Sequence, residues 1–216
     1  MSDLQQQQSY KRTDVLKGHV PDDVIAFTLE NVFSKEECQE WIALTEKQGY
    51  EPALVNIGYG RQALMTDVRN NDRCIIDSEE MANKIFERIK HLLPAVIKNN
   101  NMIELNERLR FLRYVGKDQK FEPHEDGTYL RTDGPKKGDR SLVTLQLYLN
   151  DPEEGGATTF FVGSGWDDEN RVPVNPKAGM VLVFQHRLLH EGSPCTKGIK
   201  YVMRTDIMYR RQQQPK

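Results

Sequence analysis

The sequence has few cysteines, no long apolar run and almost no net charge, and each lack removes a class of protein. Its 216 residues contain three cysteines, Cys38, Cys74 and Cys195, odd in number and widely spaced. Neither a disulfide framework nor a paired-cysteine zinc site follows from that pattern; buried thiols in a reducing compartment do. No apolar stretch approaches the ~20 residues of a membrane span. Residues 1–17 are polar and lack the apolar centre of a signal peptide, so a cytoplasmic location is expected, with the nucleus an equal fit. A formal net charge of -2 leaves no basic footprint for nucleic acid. Neither a repeat nor a linker interrupts the chain. What is present is ordinary globular material, 38% hydrophobic and 29% charged, enough for one domain with a sizeable core.

The ends are polar. Residues 1–20, with a glutamine run at 5–8, read as a disordered leader, and residues 212–216 as a tail. Between them, 21–211 reads as a single domain with two textures. In the first part, 21–105, a buried strand over 24–29 (VIAFTL) precedes a helix. Ser34 and Glu37 form the capping box of that helix, Cys38, Trp41 and Ile42 its apolar stripe, and Gly49 its stop. A second helix starts at Asp77 or Ser78, shows Met81, Ile85, Ile89 and Leu92 on one face, and ends at Pro94. In the second part, 106–211, short apolar runs at 109–115, 121–126, 141–149, 157–162, 180–184 and 200–209 alternate with glycine, proline and aspartate. That spacing predicts a mainly β fold with supporting α-helices, its core a jelly roll or double-stranded β-helix.

One strand carries chemistry. His124 and Asp126 are two residues apart, so on an extended strand their side chains share a face. A second histidine would complete two imidazoles and a carboxylate, the facial set of non-haem Fe(II) oxygenases. His186 and His190 are the candidates, His186 reading more plainly as a polar residue at a strand end. Further on, Lys200, Arg204 and Asp206 share a face of the last strand. A cation facing into a barrel mouth calls for an anion; the plainer reading has Lys200 snorkelling to solvent and Arg204 paired with Asp206. Spacing alone leaves both choices open.

Four segments, RYVGKDQKFEPHED, SLVTLQLYLND, GGATTFF and HEGSPCTKGIKYVMRTD, resemble in order and spacing the prolyl 4-hydroxylase branch of the 2-oxoglutarate- and Fe(II)-dependent oxygenases. FTLENVFSKEECQEWI resembles the entry strand and first helix of that family's catalytic domain. The resemblance implies His124, Asp126 and His190 as iron ligands. It implies Lys200 as the partner of the distal carboxylate of 2-oxoglutarate, with Tyr114, Tyr148 and Thr158 around the co-substrate and Arg204 as a further carboxylate contact. The implied reaction consumes O2 and 2-oxoglutarate, with ascorbate as a further requirement, and hydroxylates a C–H bond. A prolyl residue in a peptide or protein is the implied target, and 21–211 the catalytic domain.

Other readings keep parts of this. The same chemistry could act on a small molecule or another side chain, since Phe161 stands where collagen-type relatives usually have proline. A non-catalytic jelly-roll binding module would not need the intact ligand set. A nucleobase demethylase fits poorly with the acidic balance, which lacks basic stretches interleaved with aromatics. Two segments, 55–73 and 127–140, read as loops that control access, with Arg61, Arg69, Arg73 and Arg131 either meeting an anionic substrate or lying as solvated surface charge. Residues 163–171 read as a hairpin extension in which Trp166 packs back on the sheet. No oligomeric state follows from the sequence.

Overall fold

A computed structural model describes residues 10–58, 61–163 and 168–212. The longer elements in chain order are β1 (Lys11–Asp14), β2 (Ala26–Glu30), α1 (Lys35–Gln48), β3 (Asp72–Asp77), α2 (Glu79–Ile89), β4 (Asn100–Leu105), β5 (Arg108–Val115), β6 (Gln119–His124), β7 (Arg140–Tyr148), β8 (Thr158–Phe161), β9 (Arg171–Val174), β10 (Val181–Gln185), β11 (His190–Lys197) and β12 (Ile199–Arg211). They form two facing antiparallel sheets of a jelly roll. The larger runs β1-β2-β10-β7-β12-β5-β3, with β4 paired to the far end of β12; the smaller runs β6-β11-β8-β9.

Strand β7 shows how the sequence divides the interior. Val143, Leu145 and Leu147 point to one face and Thr144, Gln146 and Tyr148 to the other, and all six are buried, as a two-residue period requires. The first three join Met203, Val181 and Val183 beneath the helices, where α1 contributes Cys38 and Trp41 and α2 contributes Ala82, Ile85 and Ile89. The second face looks across at the smaller sheet, and Tyr148 joins Phe160, Phe184, Leu182, Val202 and Leu112 there. One side of the large sheet is thus an apolar floor, while the other can carry polar groups.

The first helix begins and ends where its sequence predicts. Glu37 N–H donates to Ser34 Oγ at 3.2 Å and Ser34 N–H to Glu37 Oε2 at 2.9 Å. The same Glu37 takes a forked ion pair from Arg88 of α2, at 2.7 and 2.8 Å, which locks the two helices together. Gly179, at φ +77, turns the chain into β10; its carbonyl accepts from Val32 and Phe33, and a Cβ there would lie 1.9 Å from the Phe33 oxygen. No helix among the described residues is long and apolar enough to cross a membrane.

Several elements differ from the sequence expectation. Within the leader expected over 1–20, Lys11–Asp14 pairs with β2 and Leu16 is buried; residues 1–9 lie outside the described residues. In the part read as helical support, β3 and β4 extend the large sheet. Strand β11 occupies a stretch read as connection, because β6 and β8 both pair with it. Trp166 lies outside the described residues, as do residues 213–216 of the expected tail.

Candidate active site

The site lies between the sheets, where β6 and β11 bring His124 and His190 together as register partners. Asp126, expected on the same strand, lies two residues past the end of β6, and its backbone N–H donates to the His186 carbonyl at 2.8 Å. One donor atom from each of His124, Asp126 and His190 lies within 4.8 Å of the others. Each imidazole is oriented by its own strand: Nδ1 of His124 lies 2.7 Å from the Glu122 carbonyl and Nδ1 of His190 lies 2.8 Å from that of Leu188. An acceptor at Nδ1 keeps the proton there and leaves the Nε2 lone pair free. Those Nε2 atoms face the two Asp126 oxygens, each at 3.9 Å. Phe121 stacks on His124, with ring centroids 3.6 Å apart, and Phe184 closes on His190 at 4.6 Å.

The surroundings set the charge of all three. Burial pushes His124 down to about 3, with His190 adding to the effect, and burial lowers His190 as well. Both rings are therefore neutral donors. Burial would raise the Asp126 carboxyl, but the charge of Arg204, helped by the Thr144 hydrogen bond, outweighs it and holds Asp126 below its ordinary range. Thr144 donates to Asp126 Oδ2 at 2.5 Å and Arg204 Nη2 lies 2.9 Å from Oδ1. Two neutral imidazoles and one ionised carboxylate make a donor set suited to Fe(II).

Strand β12 supplies the rest. Lys200 is 1% exposed, with Nζ 4.8 Å from the Tyr114 ring centroid and 5.9 Å from that of Tyr148. No carboxylate pairs with it among the described residues, and burial pushes its pKa down to about 8. A buried ammonium facing two aromatic rings is a cradle for an anion. Beside it, the Tyr148 hydroxyl and Gln146 Nε2 both donate to Thr158 Oγ1 at 2.8 Å. Gly192 leaves space below Tyr114, where a Cβ would approach the hydroxyl to 3.2 Å. Two turns of the pleat further along β12, Arg204 also meets Asp206 at 3.3 Å.

The structure thus gathers His124, Asp126, His190, Lys200, Tyr114, Thr158 and Arg204 at one cavity, with Tyr148 behind its wall. His186 stays outside the cluster. It is 2% exposed rather than a surface strand end, with Nε2 3.5 Å from Asp206. The expected access segments separate. Residues 127–140 are tied to the far edge, where Arg131 meets Glu104 and Glu107 and Asp139 meets Arg210. Arg73 pairs with Glu51 and Gln62, and Arg61 is exposed. Only Arg69 of those four arginines lines the cavity. Arg110, Gln146 and Thr144 were not anticipated, although Arg110 shares its strand face with Leu112 and Tyr114.

Comparisons with known proteins agree with this geometry. Residues 109–205 match the family model of the 2OG-Fe(II) oxygenase superfamily. Probable prolyl 4-hydroxylase 8 of Arabidopsis thaliana is 27% identical over 200 residues, covering 82% of the chain; the chain spans 66% of that plant protein, just under two thirds. Among solved structures, a viral collagen prolyl hydroxylase from Paramecium Bursaria Chlorella virus-1, in complex with 2OG, has a TM-score of 0.58 at 24% identity and covers 85% of this chain and 95% of its own. A Trichoplax adhaerens prolyl hydroxylase in complex with a peptide fragment of the hypoxia inducible factor oxygen degradation domain has a TM-score of 0.62 at 15% identity, covering 89% and 84%. Both share the fold.

Proposed function

We propose, on the premise that this chain is a prolyl 4-hydroxylase-like protein of the 2OG-Fe(II) oxygenase superfamily, that it is an Fe(II)- and 2-oxoglutarate-dependent dioxygenase acting on a prolyl residue in a peptide or protein. The observation that carries this is the pairing of two features in one cavity: a cluster of two neutral imidazoles and a carboxylate, and a buried lysine without a carboxylate partner among the described residues. His124 and His190 would hold iron through Nε2 and Asp126 through its carboxylate. Lys200 would take the distal carboxylate of 2-oxoglutarate, with Tyr114 and the Thr158 hydroxyl shaping that end. When bound, iron and 2-oxoglutarate supply an O2-dependent oxidation in which 2-oxoglutarate becomes succinate and CO2 while a substrate C–H bond gains a hydroxyl.

The chain's own residues give position and dryness. Thr144 and Arg204 grip the two Asp126 oxygens, so the carboxylate cannot rotate away from the imidazoles. The backbone acceptors at Nδ1 stop the rings from flipping. Phe121 stacks on His124, and Phe160 and Phe184 pack against His190, whose side chain is 7% exposed. Three buried free thiols support a reducing compartment such as the cytoplasm or nucleus.

The test is turnover by the full chain with Fe(II), ascorbate as reductant, 2-oxoglutarate and O2. Proline-containing peptides are expected to stimulate succinate formation and to yield hydroxyproline. Succinate without any dependence on a prolyl compound would move the target to another side chain or a small molecule, and no succinate under any condition would overturn the dioxygenase reading.

A further inference from the structure

Resting on that reading, we propose that the substrate carries a carboxylate, which Arg69 and Arg110 hold at the end of the cavity remote from Lys200. Four basic side chains line the cavity: Arg69, Arg110, Lys200 and Arg204. Their partners divide them. Arg204 is answered by Asp126 at 2.9 Å and Asp206 at 3.3 Å, and Lys200 is assigned to the co-substrate. Among the described residues Arg110 has only a share of Asp206, at 3.4 Å, a carboxylate that Arg204 and His186 also approach. Arg69 has no carboxylate partner among the described residues. Its Nε donates to Asn71 Oδ1 at 2.8 Å, its Nη1 to the Leu54 carbonyl at 3.4 Å, and its guanidinium lies 4.5 Å from the Phe121 ring centroid. The remaining acid in the wall, Glu191, is engaged by Ser193 at 2.8 Å and Arg171 at 3.9 Å.

The two arginines arrive from separate elements. Arg110 is the register partner of Arg204 across β5 and β12, and like charges directly opposite on one sheet face repel. Arg69 comes from residues 65–71, which lie along the ligand strand: Arg69 bridges Phe121, and Glu122 N–H donates to the Val68 carbonyl at 2.9 Å. Burial lowers the pKa of both guanidinium groups, and the charge of Arg204 adds to the effect. An anion at this end would relieve both the burial and the repulsion. Four residues of extended strand, about 13 Å of backbone at ~3.3 Å per residue, separate Lys200 from Arg204 and so from its register partner Arg110, which puts Arg110 toward the other end of the strand from Lys200. Guanidinium forks match a carboxylate's two oxygens.

That carboxylate could be an acidic side chain beside the target proline or the free carboxylate of proline itself, and four probes distinguish them. The full chain, loaded anaerobically with Fe(II) and 2-oxoglutarate, is titrated by calorimetry with an end-blocked pentapeptide bearing Glu beside proline, its Gln counterpart, L-proline and L-prolinamide. One acid is expected to bind at least tenfold more tightly than its neutral partner, and which one identifies the source. Arg69→Gln and Arg110→Gln should each bring that ratio toward one, while Arg69→Lys, which keeps the charge but not the fork, should lower it less. A ratio near one in the parent chain, an unchanged ratio in both glutamine variants, or no binding by any probe would overturn the proposal. Oxygen is then admitted and hydroxyproline measured. An acid preference without hydroxyproline retains the carboxylate site and removes the prolyl reading; hydroxyproline without an acid preference does the reverse.

Discussion

Lys200 is the residue whose chemistry is most exposed to test. A pKa moved from the usual lysine value of 10.5 to about 8 by burial means that the charged form costs about 3 kcal/mol to keep in the folded chain, at 1.36 kcal/mol per unit. Lys200→Met should therefore raise the stability of the ligand-free protein by ~1–3 kcal/mol in urea melts while raising the 2-oxoglutarate requirement steeply. Between about pH 8 and the ordinary lysine range the unfolded chain binds more protons than the folded one, so ligand-free stability rises with pH there, and the methionine variant should lose that rise. In the parent chain the apparent KM for 2-oxoglutarate should climb as pH passes upward through about 8, because the ammonium proposed to receive the carboxylate is discharged. Asp126→Ala should abolish iron binding with the fold intact, since Arg204 still finds Asp206; a full complement of iron by metal analysis would refute the ligand assignment. His186→Ala reads differently from the structure than from the sequence. Loss of a buried ring beside Asp206 should cost ~1–3 kcal/mol yet leave iron content unchanged. His124 and Asp126 were legible from their two-residue spacing, although the strand ends at His124 and Asp126 is placed beyond it by its N–H bond to the His186 carbonyl. Arg110 was not, since a charged residue on a strand buried on both sides announces neither face.

At the scale of elements, the helix starts were legible to within a residue or two because their signals are local, while the end of α2, expected at Pro94, falls at Ile89 with a 3-10 turn over Lys90–Leu92. Ser34, Glu37 and Gly49 cap α1, and Ser78 caps α2. Strand β11 was hidden for the opposite reason. Its sequence, HEGSPCTK, contains glycine and proline and no apolar alternation, and it is extended because neighbours on both sides take its backbone hydrogen bonds. Such pairing is a tertiary fact that no window of sequence contains. The joint between α1 and β10 gives the prediction at this scale. Gly179→Ala would place a methyl 1.9 Å from the Phe33 oxygen at a positive φ, so the chain must move. A loss above ~3 kcal/mol is expected, measurable as a lowered urea midpoint, with the helix signal in far-UV dichroism melting first. A midpoint within experimental error of the parent would show that the turn can relax without cost.

For the whole molecule, ligands that bind only the folded form add directly to stability. Iron and 2-oxoglutarate together at 100 times their dissociation constants should contribute about 2.7 kcal/mol each, or roughly 5–10 °C apiece in melting temperature for a chain of this size. Chelation should reverse the metal's share, and Asp126→Ala should show neither gain nor loss with chelator. The jelly roll itself was legible from the spacing of short strands, but the way its two sheets share the work was not: one sheet holds the imidazoles and the other Lys200, Arg110 and Arg204. That division has a consequence for the order of events during synthesis. His124 and His190 face each other across adjacent strands, yet 66 positions of chain separate them (190 − 124). Closing so long a loop is entropically slow and is rewarded only after both strands are in place. A growing chain therefore exposes half of the proposed metal site while those 66 positions are made, and the full set of His124, Asp126 and His190 comes together only once β11 has paired with β6.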